Sequence, residues 1–145
     1  MRMRFLLAVV ALLTTIATAE ARDTEHRFPI SDVMADAAAK RDLGTDIRYF
    51  FGNQPTPAVL KNFGEYVTNK KTNAANKSDE VACRWAMLSA MVQMRDRARQ
   101  LGANGVINIV SYYKKHTQSS TTEYVCHAGN ILAGVALKGQ FVTLR

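Results

Sequence analysis

The chain lacks the signatures of the commonest enzyme classes. It contains no Gly-x-x-x-x-Gly-Lys-Ser/Thr loop, which excludes the P-loop way of holding a nucleotide triphosphate. It has no Gly-x-Ser-x-Gly elbow, so it carries no serine nucleophile of the α/β-hydrolase kind. The glycines at 129, 134 and 139 do not have the spacing of a dinucleotide fingerprint. Histidine is scarce: His26, His116 and His127 are the only three, and no two share the helix-turn spacing of a paired metal ligand. No internal repeat or linker is present, and the 145 residues are read as one domain behind a leader.

That leader is the clearest feature present. Arg2 and Arg4 form a positive start, Phe5 to Ile16 an apolar core, and Ala17-Thr18-Ala19 a small-residue exit. This is the pattern of an export signal, with cleavage expected between Ala19 and Glu20; a cut after Ala21 is the alternative. The core is shorter than the roughly 20 apolar residues that span a bilayer. No later run is long enough either, so no stable membrane insertion is expected after cleavage. Residues 1–19 are therefore read as signal peptide and 20–145 as a single domain, periplasmic or secreted.

Export changes the meaning of charge and cysteine. Without Arg2 and Arg4 there remain 17 basic residues against 12 acidic ones, a net charge of +5. A balance of this kind suits an anionic partner or simple colloidal solubility. The densest polar stretch, from Asn69 to Lys77, reads as an exposed loop. Lys70, Lys71, Asn73, Asn76 and Lys77 are its candidate interaction residues. Outside the cytoplasm, Cys83 and Cys126 are expected to be bonded to each other.

The pattern of residues predicts an α+β domain. Residues 20–28 read as a loose start that joins a strand near Arg27-Phe28. Ser31 to Lys40 reads as a short helix capped by Ser31. Strands follow at Asp46–Phe51 and Val59–Asn69, the latter interrupted by Gly64. The main helix is Ser78 to Leu101: Ser78 caps it, and Asp79 and Glu80 oppose the macrodipole. Its stripe is Cys83, Met87, Ala90, Met91, Met94, Ala98 and Leu101. Val81, Trp85, Leu88 and Val92 widen the apolar surface. Further strands are expected at Asn104–Lys114, Glu123–His127 and, as one final strand, Ile131–Leu137 with Phe141–Leu144. One long helix on a largely antiparallel sheet of about four strands buries these faces.

Three constellations carry chemistry on paper. Cys126-His127 with Cys83 offers a thiolate beside an imidazole, for nucleophilic or metal chemistry. Neighbours in a strand face opposite ways, so Cys126 toward the helix sends His127 outward. That favours a structural pair over catalysis or metal. Met87, Met91 and Met94 are soft enough for Cu(I), yet at helical spacing they read as core. Tyr112, Tyr113, Lys114 and Lys115 resemble a strip for single-stranded nucleic acid. Export removes most such partners, and no nucleic acid is expected.

The chain resembles a group of small exported bacterial proteins that carry the label "excinuclease ATPase subunit". The resemblance rests on Tyr49-Phe50-Phe51-Gly52-Asn53-Gln54-Pro55, Val67-Thr68-Asn69-Lys70-Lys71-Thr72-Asn73-Ala74 and Asn76-Lys77-Ser78-Asp79-Glu80. It continues in Asn108-Ile109-Val110-Ser111-Tyr112-Tyr113-Lys114-Lys115 and Glu123-Tyr124-Val125-Cys126-His127-Ala128-Gly129. That label implies an ATP-driven role in DNA repair. Without a P-loop or a zinc-binding cysteine set, and with an export signal, it is set aside. More loosely, Ala98-Arg99-Gln100-Leu101-Gly102-Ala103-Asn104-Gly105-Val106 is similar to YbjQ-like domains and to the sensor lipoprotein of the Rcs envelope-stress pathway. Those relatives imply helix-on-sheet architecture and envelope interaction. The expectation is a binding protein with no catalytic residues and no cofactor. Its partner would be an envelope protein or an anionic envelope component.

Overall fold

A computed structural model of the chain describes residues 21–145. The export segment and the Ala19–Glu20 cleavage site lie outside them, save that Ala21 begins the described chain. The order of elements is β1 (Thr24–Pro29), α1 (Ile30–Ala35), α2 (Ala37–Leu43), β2 (Arg48–Phe51), β3 (Val59–Asn73), α3 (Asp79–Leu101), β4 (Gly105–Ser111), β5 (Glu123–Ala128) and β6 (Leu132–Leu144). The α+β class is as expected. The sheet is larger, with six strands, and mixed, because β2 runs parallel to β4.

β6 organises the sheet. Along one edge it pairs with β3 over nearly its whole length, from Leu132 opposite Asn73 to Leu144 opposite Val59. Its other edge is shared. Leu137 to Val142 pairs with β4, and Ala133-Gly134 pairs with the end of β5. β2 then extends the β4 side, and β1 the β5 side. Gly139 is required inside β6, since a Cβ there would stand 2.8 Å from Val106 Cγ1.

α3 lies on one face of this sheet. Ser78 Oγ accepts from Val81 N, and Gly102 closes the far end in the left-handed conformation, at φ 74°. Of the predicted stripe, Cys83, Met87, Ala90, Met91, Met94 and Ala98 are buried in the core, and Leu101 is half-buried against it. Each fully buried methionine side chain stabilises the fold by about 1.5–3 kcal/mol relative to exposure. The methionines are thus packing residues. Of the four residues that widen the apolar surface, only Leu88 is buried, while Trp85 stays 51% exposed.

Four expectations are corrected. The loose start is a full strand, since Thr24 to Pro29 pair one by one with Ala128 to Glu123. A polar edge strand needs no apolar alternation to be held by its ladder. The short helix is two helices, broken where Asp36 is extended at ψ 140°; Asp36, not Ser31, supplies the cap by accepting from Ala38 N. The strand predicted to end at Asn69 runs to Asn73. Lys70, Lys71 and Asn73 are consequently strand residues opposite Val135, Gly134 and Leu132, not loop residues. Finally, about four expected strands become six: β1 joins the outer margin, and Glu123–Ala128 and Leu132–Leu144 are two separate strands beside the expected β2, β3 and β4.

Candidate functional site

Cys83 and Cys126 are bonded, with Cα atoms 5.8 Å apart, and both are fully buried between α3 and β5. No free cysteine exists among the described residues. His127 points the other way, as strand alternation requires. Its Nδ1 meets Asp23 Oδ1 at 2.9 Å, and its Nε2 lies 3.6 Å from Glu25 Oε2. The Tyr113 ring stacks on it with centroids 3.5 Å apart. Burial and the nearby Asp23 push the Tyr113 phenol pKa up. The proposed thiol-imidazole centre is therefore divided across the sheet. Its sulfurs are consumed, and its two imidazole nitrogens face carboxylates, Asp23 just before the first strand and Glu25 within it. No group of three or more metal-ligating side chains occurs among the described residues.

A different arrangement gathers at one end of the molecule. There the β3–α3 turn, Ala74 to Ser78, lies beside the β5–β6 turn, Gly129 to Ile131. Ala74 N donates to Ile131 O at 2.7 Å and joins them. In the first turn Asn73 Oδ1 accepts from Ala75 N, and Asn76 takes φ 60°, which asparagine tolerates. In the second, Gly129 N donates to Leu132 O at 2.8 Å. A side chain at Gly129 would put Cβ 2.9 Å from the Arg22 carbonyl, so that site needs glycine.

Arg22 fastens this end. Its guanidinium makes two bonds to Asp79, at 2.8 and 2.9 Å, and also donates to Asn130 Oδ1 and to Gly129 O. His26 Nε2 reaches the same Asp79 at 2.8 Å. Arg22, then His26, holds the Asp79 carboxyl far below the usual carboxylate range. One cation thus ties the start of β1, the hairpin turn and the first residue of α3.

The surface presented is apolar at its tip and basic around it. Ile131 is 71% exposed and Leu132 49%. Lys71, Leu132, Tyr113 and His127 line a cleft of about 420 Å³ beside them. Lys70, Lys71 and Lys77 form no ion pair among the described residues, and Lys77 Nζ only touches Asn73 O at 3.2 Å. Of the expected interaction residues, Lys71, Asn73, Asn76 and Lys77 belong to this end. Lys70 alternates to the helix side, where it lines a second cleft with Trp85, Val92 and Arg97. Ile131, Leu132, Asn130 and Arg22 were not among the predicted residues. The signal for the hairpin was the Gly129-Asn130 pair followed at once by two branched apolar residues.

No protein-family model, curated protein or solved structure matches this chain.

Proposed function

We propose that this chain is an exported, non-enzymatic binding module of the cell envelope that rests on an anionic lipid surface through its turn end. The observation carrying this reading is the contiguous pair Ile131 and Leu132, exposed beside lysines that lack carboxylate partners. Apolar side chains reach the headgroup boundary, and each nearby lysine adds about 1 kcal/mol at an anionic surface. Such a module needs a rigid presenting scaffold, and Arg22 supplies the ties. No helix among the described residues is long and apolar enough to cross a membrane.

Co-sedimentation of the mature protein with vesicles tests this. Binding to vesicles rich in phosphatidylglycerol should exceed binding to phosphatidylcholine vesicles, and should fall as salt rises from about 50 to about 300 mM. Ile131→Ser combined with Lys77→Glu should weaken it about tenfold or more. Equal binding to both vesicle types, or an unaffected variant, refutes the reading.

A further inference from the structure

β3 is an edge strand along 15 residues. Among the described residues, its backbone from Val59 to Thr72 pairs with β6 alone, apart from Gly64 N donating to its neighbour Asn62 Oδ1. Its outer row of amide and carbonyl groups is a template for another strand. The segment falls in two parts. Val59 to Gly64 is broken by two register shifts, and Gly64 stands at φ 102°. From Gly64 to Thr72 the register is unbroken. Only that second part is regular enough to receive a strand.

We infer that the protein forms a twofold dimer in which Gly64–Thr72 of β3 pairs antiparallel with the same segment of a second copy, with Thr68 at the axis. A twofold normal to the sheet keeps both α3 helices on one side, so opposing residues must share a face. Residues 65, 67, 69 and 71 occupy the face away from α3; 66, 68, 70 and 72 face it. With Thr68 at the axis, Glu65 opposes the partner's Lys71, and the pair occurs twice by symmetry. Val67 opposes the partner's Asn69, and Tyr66 opposes the partner's Lys70, an aromatic ring against a long aliphatic stem. Thr68 meets its own copy, a favourable cross-strand pair.

Neighbouring registers lose this. Moving the axis to Val67 sets Glu65 against Asn69 and draws the shifted Asn62–Gly64 stretch into the pairing. An axis at Asn69 sets Glu65 against Asn73 and Val67 against Lys71. The charge complementarity therefore selects one register. Within one chain Glu65 has only a loose partner, Lys138 Nζ at 3.7 Å, and Lys71 has none among the described residues. The pairing takes up Lys71 but ends at Thr72 and leaves Lys77, Ile131 and Leu132 clear, the residues on which the vesicle test relies, so either reading can fail without the other.

Sedimentation equilibrium of the mature, oxidised protein tests the dimer. The wild type should show twice the chain mass and dissociate on dilution. Glu65→Lys and Lys71→Glu should each weaken association about tenfold or more, because each creates a like-charge pair twice. Combining them should restore it to within about threefold. Both side chains are exposed, and a far-ultraviolet spectrum checks that the variants fold. As a register-specific readout, an equimolar mixture of Val67→Cys and Asn69→Cys chains should cross-link under mild oxidation far more than either alone. A wild type that is monomeric at about 100 µM, a double variant that fails to recover, or cross-linking no greater in the mixture overturns the proposal.

Discussion

The face of the sheet under α3 and the turn end of the molecule are built from the same strands, yet they obey different rules. Beneath α3 every stripe position from Cys83 to Ala98 is sealed, and a covalent bond joins helix to strand. At the turn end Ile131 and Leu132 are exposed, and one guanidinium does the fastening. The first region is held by area removed from water; the second by directional charged bonds at a few points. Stability and recognition are thereby separable, and substitutions can tell them apart.

The largest effect is expected at the staple. Replacing Cys83 and Cys126 together by alanine frees a loop with 43 residues of sequence separation. In the chain-entropy model this costs about 4 kcal/mol. The midpoint of urea unfolding measures it, and a loss under about 1 kcal/mol would mean that packing alone holds α3 on the sheet. Next comes Met91→Ala, which empties a fully buried site and should cost about 3 kcal/mol. Leu60→Ala removes a similar side chain from a position 60% exposed and should cost less than about 0.5 kcal/mol. If the two costs came out alike, the contrast between sealed and open regions would fail.

A smaller effect is expected where charge does the holding. Asp79 has a depressed pKa in the folded state, from Arg22 first and His26 second. Its contribution is therefore present above the unfolded carboxylate value of about 3.9 and is lost as the pH falls below it. Asp46, held at about 2 by Arg99, acts in the same direction. Asp79→Asn should cost about 1 kcal/mol at neutral pH, discounted for its partial exposure, and should flatten the acid limb of the stability profile. An unchanged acid limb would show that the Arg22 cluster is not what pins the turn end.

This division also decides what could be read from the residues alone. The sealed region was legible because burial leaves a periodic trace. Cys83, Met87, Met91 and Met94 announce a helix face, and a strand neighbour pair announces that Cys126 and His127 diverge. The class and the long helix followed from such traces, and the cysteine pairing from the even count of two behind an export signal. The margins were not legible. β3 beyond Asn69 is polar because its outer face is exposed, and polar residues there look like a loop until β6 supplies the ladder. β1 is similarly disguised, since its ties are Arg22 and the pairing with β5, both remote in the chain. Trp85 reads as core by type, but α3 turns it outward. At the turn end the polar stretch with Asn73, Asn76 and Lys77 was legible, but its meeting with Asn130, Ile131 and Leu132 was not, because the two turns are far apart in the chain and no local pattern records their contact.

The smallest effect on stability is expected at the tip itself, where the effect on recognition is greatest. Ile131→Ser removes a side chain that is 71% exposed, so little buried area is lost. Lys77→Glu changes a side chain whose hydrogen bond is to a backbone carbonyl, Asn73 O, and leaves the bond from Lys77 N to Ala74 O in place. The Ala74 N to Ile131 O bond uses the backbone and survives both changes. Together they should shift the unfolding free energy by no more than about 0.5 kcal/mol. The same double variant is expected to lose most of its binding to anionic vesicles. A large loss of stability would instead place Ile131 and Lys77 among the structural ties, alongside Arg22. The turn end would then be an extension of the sealed region, with its exposed apolar pair serving the fold and not a partner.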